Sequence, residues 1–497
     1  MKVEELHNKA LEIADIAFIH KFNGENDRAI IYFREAFEFE RKAAFLAKSE
    51  KVGEPSTSIL FKSAASLAFN SQLYLESKTM LTIALQSEIP SEISTEIQVM
   101  LNELDPLIQH VILKRKAESS NIKGITVIEG DGIGPEVTRQ AVKVLNTVAE
   151  LFGHEFNYRY ALMGADAIDK TGNPLPDETI EACLNSDAIL FGAIGHPKYD
   201  NDPFAKVRPE QGLLKLRKSL QLFANIRPVI TYPSLQHLSP LKARQLEGVD
   251  FIIFRELTGG IYFGKKELSE DGNRASDECA YTREEIERVA RLAFQYAAQR
   301  RKKLTLVDKA NVLESSRLWR KVVQDMAPQF ADVKVDFLFV DNAAMQIILN
   351  PKQFDVILTE NMFGDIISDE ASVISGSLGL LPSASVGSGV ALFEPIHGSY
   401  PQATGKDIAN PLGSILSAAM LLDYLGMAKE AEAVRQGVEW TLVNGFVTKD
   451  IDPVNFYFTS TIGELVCDFV ANRIPGSPNK TISEQRKMTN PQIKSKK

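Results

Sequence analysis

Three arginines are the first residues whose setting suggests chemistry. Arg217 closes Gly212-Leu213-Leu214-Lys215-Leu216-Arg217, Arg227 ends Ala224-Asn225-Ile226-Arg227, and Arg255 follows the apolar run Phe251-Ile252-Ile253-Phe254. A guanidinium forks onto a carboxylate, so three together could hold a dicarboxylate, while any one alone reads as a surface ion pair. Arg255 stands apart, because strand ends are where α/β sheets bind ligands. In Asn361-Met362-Phe363-Gly364-Asp365-Ile366-Ile367-Ser368-Asp369, two aspartates lie four residues apart. On a helix they share a face and repel unless a cation sits between them, which suits Mg²⁺ or Mn²⁺. The helix dipole is the plainer explanation. Asp341 could be a third ligand. Lys309 follows the apolar run Leu304–Val307, where desolvation would lower its pKa towards general-base range unless its amine reaches solvent. Glu394 to Pro401 and Gly405 to Pro411 read as a long ordered loop, in which His397 and Asn410 offer adenine-type hydrogen bonds. Gly132-x-Gly134 is half a dinucleotide fingerprint. Val137 stands where a further small residue belongs, and a strand-to-helix turn explains the glycines equally well.

The elements that must carry these residues change character near residue 121. Of 30 glycines, only Gly24 and Gly53 fall within residues 1–120. Few glycines and many Ala, Glu and Leu favour helices. Ile30, Phe33, Phe37 and Ala44 recur at helical steps, as do Leu67, Tyr74, Met80 and Leu81. Breaks are expected at Gly53-Glu54-Pro55, Ile89-Pro90-Ser91 and near Asp105-Pro106, with Ser56 and Ser91 as N-caps. This predicts four or five helices, then a linker beginning at Lys114-Arg115-Lys116. From Gly124 the pattern is strand, Gly-rich turn and helix, repeated: Ile125–Ile128, Ala188–Phe191, Val249–Phe254, Leu304–Val307 and Phe354–Leu358 are the short apolar strands. The pattern predicts an α/β fold with much parallel sheet. Residues 479–497 read as a basic flexible tail.

Composition narrows the function classes. The 497 residues carry 56 Lys+Arg against 65 Asp+Glu, which argues against a nucleic-acid scaffold. Apolar runs fall short of the ~18–20 residues of a membrane span, and the start lacks a signal peptide's apolar stretch. Three scattered cysteines fit neither a disulfide framework nor a zinc site, so a reducing, cytoplasmic setting is expected.

In one order along the chain, GDGIGPEV, GLLKLRKSLQLFANIRP, RELTGGIYFG, VDKANVLE, ENMFGDIISDEAS, GSLGLLPSAS and EPIHGSYPQATGKDIANP resemble the motifs of the isocitrate/isopropylmalate β-decarboxylating dehydrogenase family, its isopropylmalate branch in particular. The resemblance covers residues 121–478. It implies two lobes: 121–222 with 376–478 for the cofactor, and 223–375 for substrate and dimer contacts. Arg217, Arg227 and Arg255 match the substrate-carboxylate arginines. Asp341, Asp365 and Asp369 match the ligands of Mg²⁺ or Mn²⁺, with Asp341 also facing substrate. Tyr262 and Lys309 match the acid/base pair. Lys309 and one aspartate would enter each site from the partner of a homodimer. Ile133, Glu210, Glu394, His397, Gly398, Gln402 and Asn410 match cofactor contacts. NAD is expected over NADP, although Gln402 stands where many NAD-dependent relatives place Asp. Leu213, Leu214 and Val312 match an apolar pocket for an isopropyl group, where a third carboxylate would cost several kcal/mol. The implied reaction converts 3-isopropylmalate to 4-methyl-2-oxopentanoate, a leucine precursor. Malate-, tartrate- or isocitrate-type substrates are alternatives. A helical adaptor that retains a dehydrogenase scaffold is the alternative of another class, and the intact Arg/Lys/Tyr/Asp set argues against it. Residues 1–120 resemble a degenerate tetratricopeptide-type module, expected to be an interaction or regulatory module for an unknown protein partner or an oligomer-building appendage.

Overall fold

The computed structural model describes residues 2–85, 89–118, 122–200 and 207–471. The expected basic tail lies outside them. The chain forms two compact units, Met1–Asn121 and Ile122–Lys497.

The first unit holds five helices, Val3–Phe22, Asn26–Ser49, Ser56–Asn70, Tyr74–Ala84 and Ser91–Glu118. Its core alternates alanine with phenylalanine: Ala10, Ala14, Ala17, Phe33, Ala36, Phe37, Phe61 and Ala64 are buried. Alanine lets helix backbones approach closely, and the phenylalanines fill the remaining space. Four local expectations are corrected, the first being Ser91, which opens its helix rather than capping it. Ser56 is the first helical residue rather than the cap, and the Glu54 carboxylate accepts from Ser58 N–H (3.1 Å) instead. Asp105-Pro106 does not end its helix. Leu101 and Leu104 just before it are buried in the core, which offsets the backbone hydrogen bond a proline forfeits. Lys114–Lys116 continue that helix to Glu118, as the helix propensity of Lys and Arg allows.

The second unit is built on a ten-stranded sheet. Its strands are β1 (Ile122–Gly130), β2 (Glu155–Tyr160), β3 (Ala188–Ala193), β4 (Leu222–Ile230), β5 (Asp250–Glu256), β8 (Lys303–Asp308), β9 (Lys334–Phe339), β10 (Val356–Thr359), β11 (Pro382–Gly387) and β12 (Leu392–Pro395). A separate hairpin pairs β6 (Lys266–Leu268) with β7 (Ala275–Asp277). The order is β2-β1-β3-β12-β11-β4-β5-β10-β8-β9. Six of the nine pairings are parallel, the mostly parallel sheet expected. Two parallel blocks are joined by an antiparallel seam, β12-β11-β4-β5.

Strand alternation sends neighbouring side chains to opposite faces. On one face Ile226, Ile252, Phe254, Ala384 and Phe393 join a single large core with helices Gly134–Phe152, Arg283–Gln299 and Leu412–Tyr424. The other face has two separate cores. Ile128, Ile189 and Leu392 pack with Leu216, whereas Ile253 and Ile357 pack with Ile367. Between them the seam carries polar side chains, and there the candidate site lies.

Candidate active site

Asn225, Arg227, Arg255, Ser383, Ser385 and Glu394 alternate with residues of the large core, so all six fall on the opposite face of the seam. All are buried. Buried guanidinium groups need acceptors. Arg227 Nε donates to Asn225 Oδ1 (2.7 Å), and its NH1 donates to Ser368 Oγ (2.6 Å) and Asp369 Oδ1 (3.2 Å). Arg255 donates twice to Asn361 Oδ1 (3.1 and 2.9 Å) and once to Asp365 Oδ1. Arg217, on helix Pro209–Ser219, pairs with Glu394 at 3.1 Å.

One helix supplies most of these acceptors. Asn361, Asp365, Ser368 and Asp369 lie along one face of Asn361–Ser372, at the i, i+4, i+7, i+8 spacing. Gly364 lets that helix approach β5: a Cβ there would stand 2.7 Å from Arg255 Cγ. Tyr262, at the end of the single turn Gly260–Tyr262, donates from its hydroxyl to Asp365 Oδ2 (3.0 Å), and Arg255 stacks on its ring at 5.8 Å. Burial, and then Arg227, push the Arg255 guanidinium down to about 10, so it stays charged at neutral pH. Burial lowers Arg227 likewise. Burial and the Asp365 charge raise the Tyr262 hydroxyl. Asp369 is 69% exposed and Asp365 partly so, which leaves their oxygens open to a hard cation on one side of the helix.

Lys309 and Asp341 form a second group. Lys309 Nζ donates to Asp341 Oδ1 at 2.5 Å, and this contact lowers the Asp341 carboxyl. Val312, on the same loop, is 60% exposed. Among the described residues no hydrogen bond or ion pair joins this pair to the arginine cluster, and no three His, Cys, Asp or Glu side chains converge on a metal position. One chain therefore brings Arg217, Arg227, Arg255, Tyr262, Asp365 and Asp369 together, and leaves Lys309, Val312 and Asp341 apart.

Of the candidate cofactor residues, Ile133 lies in the turn after β1, to which the long loop following His397 and Gly398 is tied. Gly132 has φ 60°, and a Cβ there would come within 2.0 Å of the Ser399 carbonyl. Ile133 is buried, and its N–H donates to that same carbonyl (2.8 Å). Glu136 accepts from Gly405 N–H (2.5 Å) and Asp407 N–H (3.1 Å), stitching the long loop to the turn. His397 Nδ1 lies 2.9 Å from Gly398 O, while its Nε2 is buried without a protein partner. Burial lowers its pKa and keeps the imidazole neutral. That orphaned nitrogen borders a cavity of about 140 Å³ lined also by Leu213, Arg217, Arg227 and Glu394. An unsatisfied buried nitrogen beside such a cavity fits a polar ligand group. Glu210, Gly398 and Gln402 are exposed and Leu214 is half-buried. Asn410 is buried and spends one amide proton on Asp450 (3.1 Å) and its oxygen on Leu412 N–H (3.0 Å), so it also shapes the loop.

Sequence reasoning missed the neutral residues that hold the arginines: Asn225, Asn361 and Ser368. Asn225 had a signal, a lone amide in an apolar strand two residues before an arginine.

The seam thus defines a class: an α/β protein whose sheet centre presents, beside paired aspartates, buried arginines of the kind that can fork onto carboxylates. The chain belongs to the isocitrate/isopropylmalate dehydrogenase family, whose model matches residues 124–466. It is 56% identical over 348 residues to the 3-isopropylmalate dehydrogenase of Bacteroides fragilis, covering 70% of this chain and 98% of that one. With the 3-isopropylmalate dehydrogenase of Bacillus subtilis it shares 56% identity over 335 residues, 66% and 92% of the two chains. Among solved structures it resembles the isocitrate dehydrogenase of Methylococcus capsulatus, with TM-score 0.64 and 33% identity over 70% of this chain and 99% of that one. It also resembles a β-decarboxylating dehydrogenase of Thermococcus kodakarensis, with TM-score 0.60 and 38% identity over 70% and 96%.

Proposed function

We propose that this chain oxidises 3-isopropylmalate with NAD⁺ and releases CO₂, giving 4-methyl-2-oxopentanoate for leucine synthesis. The observation that carries the reading is the seam: three arginines for carboxylates, two aspartates for a cation, and Leu213 rather than a polar side chain lining the adjoining cavity. Relatives of 52–56% identity bearing the 3-isopropylmalate dehydrogenase name support it. Isocitrate would need a polar partner for its third carboxylate, where this chain has Leu213 and Leu214.

When bound, NAD⁺ would supply a hydride acceptor, and Mg²⁺ or Mn²⁺ would supply positive charge to acidify the substrate hydroxyl and steady the charge left by CO₂. Asp365 and Asp369 supply carboxylate oxygens for that ion, with Asp341 from a second copy of the chain. Arg217, Arg227 and Arg255 fork onto the substrate carboxylates and fix the scissile bond. Lys309, also from the second copy, takes the hydroxyl proton. Tyr262, held protonated by burial and by Asp365, delivers a proton to the carbon that lost CO₂. Val312 travels with Lys309 and completes the apolar pocket begun by Leu213 and Leu214. Ile133, Glu210, Glu394, His397, Gly398, Gln402 and Asn410 form the cofactor side. Gln402 can hydrogen-bond a ribose hydroxyl and offers no cation for a 2′-phosphate, which favours NAD⁺ over NADP⁺. Residues 1–120 are an interaction module for a protein partner, and the enzyme works in the cytoplasm. Among the described residues no helix is long and apolar enough to cross a membrane.

The test is the initial rate of NADH formation from 3-isopropylmalate, beside isocitrate and malate, with NADP⁺ in parallel and with metal removed by chelator. Turnover of 3-isopropylmalate alone, dependent on metal and NAD⁺, is expected. Preference for isocitrate or malate, or full activity after verified metal removal, refutes it.

A further inference from the structure

We propose that Glu360 is a positioning residue that ties the helix bearing Asp365 and Asp369 to the loop bearing Lys309. The inference rests on the roles given above to those three residues. Glu360 sits between β10 and helix Asn361–Ser372 and is 3% exposed. Among the described residues it has no cationic partner, and the reaction as derived gives it no task. Its carboxylate accepts a hydrogen bond from the Ser316 hydroxyl, also fully buried, on helix Glu314–Met326. Ser316 Oγ in turn accepts from the backbone N–H of Lys309 (3.1 Å).

The direction of these bonds matters. A serine hydroxyl has one proton, and Glu360 takes it, which turns the oxygen's lone pairs towards Lys309 N–H. Other anchors hold the neighbouring peptide groups. Asp308 Oδ1 accepts from Ala310 N–H (3.0 Å), and Arg317 donates to Ala310 O (3.0 Å). The Lys309 amide has Ser316 alone among the described residues. Without Glu360 the hydroxyl is free to turn to a carbonyl of its own helix, and the Lys309 amide loses its acceptor.

The backbone of the same residue starts the other half of the site. Glu360 O accepts from Gly364 N–H (2.9 Å) in the first turn of the aspartate helix, and the next residue, Asn361, bridges Arg255 and Gly259 O. A carboxylate is an expensive way to hold a serine. Burial, with Asp308 adding to it, pushes Glu360 up to about 7. Because Lys309 serves the second copy's site, Glu360 joins one site's aspartate helix to its neighbour's base.

The experiment uses the full chain with Glu360→Ala, Glu360→Gln and Ser316→Ala. Two readouts are taken: steady-state kinetics on 3-isopropylmalate with NAD⁺ and Mg²⁺, and hydrogen exchange of the Lys309 segment. Both Ala variants should lose ~10–100-fold in kcat with KM within about twofold, the signature of a displaced proton acceptor. Exchange at Lys309 should rise in both. Glu360→Gln, whose amide oxygen can still accept from Ser316, should recover most of the loss in both readouts. Unchanged exchange and kcat in folded Ala variants overturn the proposal, and so does Gln behaving like Ala. If Glu360→Ala does not fold, Ser316→Ala decides, since it removes only a hydroxyl. The exchange readout is independent of turnover, so an inactive wild type with the expected exchange pattern would indict the functional reading and not the Glu360 contact.

Discussion

Two groups proposed to act in catalysis, Arg227 in the buried seam and Lys309 apart from it on the same chain, make a sharp test possible. Take chains bearing Lys309→Ala and chains bearing Arg227→Met. Lys309 pairs with an Asp341 side chain that is 67% exposed, so its loss should scarcely change stability. Arg227→Met fills the volume and leaves neutral partners, Asn225 and Ser368, short of a bond, costing about 1–3 kcal/mol. Both chains should fold. Each homodimer carries its lesion at both sites and should be nearly inactive. In a mixed dimer the two-fold axis puts both lesions in one site and neither in the other. Random remixing makes about half the dimers mixed, each with one intact site of two, so roughly a quarter of wild-type activity should return. The assay is NADH formation after co-refolding of differently tagged chains, with mixed dimers verified by tandem purification. If Lys309 serves its own chain, every site in the mixed dimer carries one lesion and nothing returns. Verified mixed dimers without recovery refute the cross-subunit placement.

Three further outcomes are expected. Asp369→Asn changes an exposed group and should leave basal stability nearly unaltered. The thermal stabilisation of the wild type by Mg²⁺ or Mn²⁺, ~2.7 kcal/mol at 100 times Kd, should disappear; retention of the shift shows that Asp369 does not hold the ion. A chain beginning at residue 121 should fold and turn over 3-isopropylmalate at near-native rate, checked by size-exclusion chromatography and kinetics, and an insoluble or inactive product would make residues 1–120 part of the enzyme. Burial raises Glu360 from 4.5 to about 7, so its contribution to stability is fully present below pH 4.5 and is lost as pH rises through 7. Urea denaturation should therefore show Glu360→Gln gaining about 3 kcal/mol on the wild type between about pH 4.5 and pH 8, and a gap independent of pH would contradict the buried carboxyl.

Much of the site was legible because it obeys short periods. Asp365 and Asp369 advertise a helix face, and Arg255 announces a strand end. The mostly parallel sheet followed from repeated strand, turn and helix. The gap between two cores on one sheet face was not legible. It arises because β11, some 150 residues after β4 in sequence, returns antiparallel beside it, and short-range periodicity carries no trace of such a pairing. Asn361 and Ser368 were missed for a related reason: their value lies in which buried donor they meet. In the first unit the local rules failed where packing overrode them, as at Pro106, whose helix is held by Leu101 and Leu104.

The pairing of Arg255 and Tyr262 with Asp365 has one further consequence. The protein carries its own counter-ion where a ligand carboxylate would go. Asp365 must leave before Arg255 and Tyr262 are free. A divalent cation that draws it away thus acts on the arginine as well as on the hydroxyl, so that cation and carboxylate ligand should each tighten the binding of the other.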